Sequence, residues 1–183
     1  MRIVGGAWRG RRLAAPRGDA IRPTSDRLRE ALFNVLAHAY GDPVPEARVL
    51  DLFAGTGALA FEALSRGAAL AVLVDEGAQA RALIRETIAA LGCADRARLV
   101  RRDATRLGAA EETFTLVFLD PPYGRGLAPR ALASARDGNW LAPGALVLVE
   151  EAAGVRLDPL PGFTELERRD AGETAVTVLR AAG

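Results

Sequence analysis

The chain has 183 residues, 50% of them hydrophobic, which is ample for the core of one domain. No apolar run approaches the roughly 20 residues of a membrane span, Met1 to Gly6 lack the apolar stretch of a signal peptide, and the single cysteine, Cys93, excludes an internal disulfide framework and a Cys-cluster zinc site, so a cytoplasmic, metal-free protein is expected. The net charge of +1 hides an asymmetry: residues 1–22 hold six arginines against one acid, Asp19, whereas the rest is slightly acidic, and no lysine occurs.

Taken in order, Arg2 to Leu13 mixes β-compatible residues with Gly5, Gly6 and Gly10, which predicts a short hairpin or strand pair. Arg2, Arg9, Arg11 and Arg12 interleave with Trp8, a pattern that suits either an RNA-phosphate surface or a solvated arm anchored by the indole. A helix is predicted to start at Arg22-Pro23-Thr24-Ser25-Asp26, with Thr24 as N-cap. Leu28, Leu32, Val35, Leu36 and Ala39 would form its apolar face, with Arg27 and Arg29 pointing elsewhere.

Arg48 to Phe53 reads as a strand, followed by Ala54-Gly55-Thr56-Gly57-Ala58 and a helix through Arg66. Glycines 55 and 57 permit a tight turn and close approach of backbone to a ligand at a helix amino end. As G-x-G-x-x-A the loop also matches a dinucleotide fingerprint, but Asp51, on the strand just before it, would sit unfavourably beside a pyrophosphate. A cationic ligand such as S-adenosylmethionine would be welcomed there. Ala69 to Val74 is a second strand, ending at Asp75-Glu76, and Asp75 is placed to accept from ribose hydroxyls. A helix over 79–91 ends at Gly92, and a strand over 97–101 leads to Asp103-Ala104, where Asp103 could accept from an adenine amine or simply cap a turn.

The run Phe114 to Leu119 reads as a buried strand stopped by Asp120-Pro121-Pro122-Tyr123. Asp120 and the Pro121 carbonyl can both accept from one exocyclic amine, while Tyr123 offers a ring for stacking. A helix over 127–136, a strand over 145–149 and a hairpin of 163–169 with 174–180 complete an α/β doubly wound sheet with an antiparallel end. The expected organisation is one domain, with a basic extension 1–22, a helix 23–41 and a cofactor-binding core 46–183.

Asp51-x-Phe53-x-Gly55-x-Gly57, Asp75, Asp103 and Asp120 to Tyr123, in that order, resemble a class I S-adenosylmethionine-dependent amino-methyltransferase. The segments Arg2 to Gly6, Trp8 to Leu13, Arg22-Pro-Thr24, Asp26 to Glu30, Leu32-Phe-Asn34 and Leu52 to Leu59 narrow the resemblance. They are similar to bacterial 16S ribosomal RNA guanine-N2-methyltransferases of the RsmD type, over essentially the whole chain. That resemblance implies a Rossmann-like seven-stranded sheet with Asp51, Gly55 and Gly57 around the methionine moiety, Asp75 on the ribose and Asp103 near the adenine. Phe53, Thr56, Glu76 and Ala104 are their neighbours in the cofactor pocket, and Arg22 and Thr24 lie near it. It further implies that Asp120 to Tyr123 hold the target guanine and that the arm docks 16S rRNA or a small-subunit assembly particle; a monomer is expected. Two departures occur: Thr87 stands in a helix half where relatives often carry Asn, and Asp75-Glu76 where many have Glu first. Other readings stay open on the residues alone: a DNA, other RNA or protein amine methyltransferase, including one for adenine N6; an NAD-linked oxidoreductase; or a non-catalytic ribosome-assembly factor.

Overall fold

Segments rich in Val, Leu and Ala alternate with segments of helical spacing, and each forms the element its period dictates. The computed structural model describes residues 1–16 and 25–183. Its helices are α1 (Asp26–Ala39), α2 (Ala58–Ser65), α3 (Ala78–Leu91) and α4 (Leu127–Asp137), with a 3-10 turn at Ala104–Arg106. Its strands are β1 (Arg48–Leu52), β2 (Leu70–Val74), β3 (Ala97–Val100), β4 (Phe114–Leu119), β5 (Leu141–Ala152), β6 (Phe163–Ala171) and β7 (Thr174–Ala181).

The strands form one sheet in the order β3-β2-β1-β4-β5-β7-β6. The first five are parallel, and β7 runs antiparallel between β5 and β6. Strands buried on both faces need apolar residues at nearly every position, as β2 and β4 have. One face, with Val49, Leu73, Phe118 and Leu148, packs on Phe33, Phe61, Leu64 and Ile84 from α1 to α3. The other, with Leu50, Leu52, Val117 and Val147, packs on Leu132 and Ala135 of α4 and on Trp140. The order reverses between β1 and β4, so connections leave that point in opposite directions and open a crevice at the strands' carboxyl ends.

Three expectations are revised. The N-cap of α1 is Ser25, whose hydroxyl accepts from Leu28 N at 3.1 Å, one residue after the expected Thr24; Thr24, like Arg22, lies outside the described residues. The buried face of α1 is Arg29, Phe33 and Leu36, so Arg29 points inward and is 0% exposed. Leu28, Leu32 and Val35 flank that face half-buried, and Ala39 is exposed. Burying a guanidinium requires partners, and Glu62 of α2, also 0% exposed, accepts from Arg29 Nε at 3.2 Å. Strand β5 starts at Leu141, four residues earlier than expected, because the chain bulges between the pairings of Leu141 and Leu146 with β4. The arm forms the short pairing expected: Arg2 bridges Arg12 antiparallel, Ile3 N donates to the Arg11 carbonyl at 3.0 Å and Gly10 N to the Ile3 carbonyl at 2.8 Å.

Further hydrogen bonds tie the arm to the helices. Glu62 also accepts from Val4 N at 2.9 Å, Gly5 N at 2.8 Å and Arg66 Nε at 2.9 Å. Ser65 accepts from Trp8 N through its hydroxyl at 2.9 Å and from Ala7 N through its carbonyl at 2.8 Å, and its hydroxyl donates to the Gly5 carbonyl at 2.6 Å. The contact is so close that a Cβ on Gly6, whose φ is +75°, would fall 1.9 Å from the Ser65 carbonyl oxygen. Thr87, the departure on α3, is buried and its hydroxyl accepts from Ala14 N at 3.2 Å. The Gly-Gly pair and Thr87 therefore both serve the seating of the arm.

Candidate active site

The residue that follows the last paired position of each central strand stands at one edge of the crevice. In register these are Asp75 after β2, Phe53 after β1, Asp120 after β4 and Glu150 beside it within β5. All four line a cleft of about 1140 Å³, together with Asp51, Gly55, Thr56, Pro121, Pro122, Tyr123 and Glu173. Small-ligand pockets commonly hold roughly 300–1,000 Å³, so this cleft has room for a nucleoside cofactor and a base together.

On the β1 side, Asp51 is 2% exposed and accepts from Ala60 N at 3.3 Å, satisfying one free amide in the first turn of α2. Burial pushes its carboxyl well above the usual carboxylate range; the charges of Asp120 and Asp75 push the same way, against the Ala60 hydrogen bond. An acid so placed favours a cation beside it. Phe53 carries a φ of +60°, a costly conformation for an aromatic residue, and this turns the chain from β1 into the glycine loop. Gly57 caps α2 at φ +76°, where a Cβ would meet Phe61 at 2.6 Å and Leu73 at 2.7 Å. It supports the loop from behind and does not line the cleft. Asp75 ties the loop to β2: its Oδ2 accepts from Gly55 N at 2.9 Å and its Oδ1 from Gly77 N at 2.7 Å. Each carboxylate oxygen retains a second lone pair for a ligand hydroxyl.

On the β4 side, Pro121 is buried and Asp120 and Tyr123 are half-buried. The Tyr123 hydroxyl donates to Glu150 Oε1 at 2.8 Å. Glu150 and Glu173 of the β6–β7 turn were not among the residues expected from the sequence, because nothing in local spacing shows which turn hangs over which strand end. Among the described residues, four expected cofactor residues fall outside the cleft lining: Gly57, behind the loop, Glu76, which is exposed, Ala104, which is buried in the core, and Asp103, which caps the 3-10 turn. Asp103 Oδ1 accepts from the amide and the hydroxyl of Thr105, both at 2.8 Å, and these bonds hold its carboxyl below the usual range.

The expected RNA-facing residues share the arm surface. Arg2, Arg9, Arg11 and Arg12 are exposed, with Arg2 donating to the Gly10 carbonyl at 2.9 Å and Arg11 to the Ala90 carbonyl at 2.6 Å. Trp8 is half-buried against the core, and the Arg96 guanidinium lies 5.1 Å from its ring centroid. The indole therefore anchors the arm on one side and carries a cation on the other. The arm also reaches the glycine-loop side of the cleft, where the Thr56 hydroxyl lies 3.9 Å from the Met1 sulfur.

The strand order, with its reversal at β1 and β4 and a glycine loop at the carboxyl edge, defines the class I methyltransferase fold. An RNA methyltransferase from Salinibacter ruber, solved with S-adenosyl-L-homocysteine, has this fold at 18% identity, with a TM-score of 0.63 over 88% of this chain and 94% of its own. The match to the solved structure of the Escherichia coli protein yhhF is fuller: a TM-score of 0.83 and 37% identity over 100% of this chain and 98% of that one. The chain belongs to the family described as Conserved hypothetical protein 95, whose model matches residues 1–180. It is also similar to the ribosomal RNA small subunit methyltransferase D of Escherichia coli K12, being 41% identical over 177 residues, 96% of this chain and 87% of that one. Among the described residues, no helix is long and apolar enough to cross a membrane.

Proposed function

We propose that this protein is an S-adenosylmethionine-dependent methyltransferase that modifies the exocyclic N2 of a guanine in small-subunit ribosomal RNA. The observation that carries the reading is the pairing, across the topological switch point, of a cation-seeking buried acid with a two-acceptor corner in one cleft: Asp51 and the glycine loop after β1, Asp120 and Pro121 after β4. The relatives named as ribosomal RNA methyltransferases support the substrate class. An enzyme acting on ribosomal RNA works in the cytoplasm, and this one would act there as a monomer.

S-adenosylmethionine supplies a methyl group on a positively charged sulfur, so transfer exchanges a carbon–sulfur bond for a carbon–nitrogen bond. Asp51 would face the positive charge of that ligand, the amides of the glycine loop its methionine portion, and Asp75 its ribose hydroxyls. Guanine N2 is a weak nucleophile because its lone pair is delocalised into the ring. Asp120 and the Pro121 carbonyl accept its two hydrogens, draw the nitrogen towards tetrahedral geometry and stabilise the positive charge that develops on it. The surplus proton then leaves through Asp120 to water. The stiff Pro121-Pro122 backbone holds these acceptors in place, and Tyr123 stacks on the base, so much of the rate comes from positioning.

The experiment is methylation of ribosomal RNA, and of partly assembled small subunits, from a strain lacking the enzyme, with the modified nucleoside identified by mass spectrometry. N2-methylguanosine is expected. Absence of methyl transfer to either substrate, or transfer to adenine, would refute the reading.

A further inference from the structure

The two acceptors at Asp120 and Pro121 serve any exocyclic amine, so they do not distinguish guanine N2 from adenine N6. The neighbouring strand supplies a distinction. Leu119 of β4 pairs in parallel with Val149 of β5, so the next residues, Asp120 and Glu150, stand side by side at the carboxyl edge. Adjacent strands are roughly 4.8 Å apart, and residues in register on parallel strands project from the same face. Both side chains line the cleft, and the Tyr123 hydroxyl, bonded to Glu150 Oε1 at 2.8 Å, keeps the Glu150 carboxylate at the edge of the ring on which the base would stack.

The rims of the two purines differ at this point. Guanine carries N1–H directly beside its N2 amine, making a continuous row of donors. Adenine carries an unprotonated N1 beside its N6 amine, a lone pair next to donors. An ionised carboxylate only accepts. With the amine held by Asp120 and Pro121, an acceptor one strand further on matches the row of guanine and opposes the lone pair of adenine. Resting on the guanine-N2 reading above, we infer that Glu150 accepts the N1–H of the target base and selects guanine over adenine.

The test uses 2-aminopurine, which keeps the 2-amine but has a lone pair at N1. The target nucleotide is first located by mass spectrometry of the wild-type product, and the same RNA is then prepared with 2-aminopurine at that position. Glu150→Gln can turn an amide N–H towards N1, so its ratio of kcat/KM for guanine over 2-aminopurine should fall by about 5- to 150-fold relative to wild type. Tyr123→Phe removes the bond that positions the carboxylate but keeps the carboxylate itself, so its ratio should fall by less than that of Glu150→Gln. S-adenosylhomocysteine affinity, measured by calorimetry, reports that each variant is folded. An unchanged ratio in Glu150→Gln, or an equal change in Tyr123→Phe, would reduce Glu150 to an anchor for the tyrosine and overturn the inference while leaving the guanine-N2 reading intact. N6-methyladenosine as the wild-type product would overturn both.

Discussion

Removal of Glu62 tests how the N-terminal arm is held. Its carboxylate, 0% exposed, accepts from Val4 N, Gly5 N, Arg29 Nε and Arg66 Nε, and so joins the arm, α1 and α2 at one point. Glu62→Ala takes the fully buried carboxylate from the Arg29 guanidinium, and Asp26, which also pairs with Arg29, is 44% exposed, so solvent screens that ion pair. Stripping one partner from a buried charge pair costs about 3–5 kcal/mol. For a domain of this size each kcal/mol lowers the melting temperature by roughly 2–4 °C, so a fall of about 6–20 °C is expected. Thermal and urea unfolding would measure it. Limited trypsin digestion, directed at the exposed Arg9, Arg11 and Arg12, would report release of the arm at temperatures where the core stays folded. The combined variant Arg29→Met with Glu62→Leu, which removes both members of the fully buried Arg29–Glu62 pair, should lose less than the sum of its single changes. A loss below about 1 kcal/mol in Glu62→Ala, with trypsin resistance unchanged, would refute this account of the hub.

Asp120→Ala should keep S-adenosylmethionine affinity and lose about 100- to 1000-fold in single-turnover methyl transfer, and near-normal turnover would remove Asp120 from the chemistry. Because the carboxyl of Asp51 is raised in the folded protein, it holds its proton where ordinary carboxylates are ionised, so affinity for the cationic cofactor should climb as pH rises through its titration. Calorimetric titrations across pH should show that limb in the wild type and a flat profile in Asp51→Asn. The same shift has a stability sign: a raised folded pKa contributes stability at pH below the unfolded value and loses it as pH rises through the folded one. Asp51→Asn should therefore be the more stable protein at neutral pH in urea unfolding without cofactor, and a less stable variant would contradict the linkage. Neutralising Arg9, Arg11 and Arg12 together should flatten the salt dependence of RNA binding by roughly 0.7 log units for each phosphate they neutralise in the wild type, and an unchanged slope would leave the arm a purely structural element.

Much of this protein was determined by its sequence alone, because the signals are local. Alternating apolar runs set the strands and helices, the glycines at 55 and 57 set the turn after β1, and two prolines end β4 and leave Asp120 at its tip. A parallel sheet places strand ends on one edge, so the chain order of Asp51, Asp75 and Asp120 was enough to bring them together. Other features depend on long-range contact, which local pattern does not encode. Arg29 reads as a solvated charge until Glu62, 33 residues away, is brought beneath it; the helix then turns a different face inward. Gly5, Gly6 and Thr87 read as a loose turn and a departure from pattern, and only the docking of the arm on α2 and α3 gives them a purpose. Asp103 follows a strand as Asp75 does, yet it stands outside the cleft lining with its Oδ1 capping the 3-10 turn through Thr105, a difference that spacing does not show. Glu150 was invisible for the same reason in reverse: its place beside Asp120 is a matter of register between β4 and β5, and register is decided by how the two strands pack, not by either segment alone.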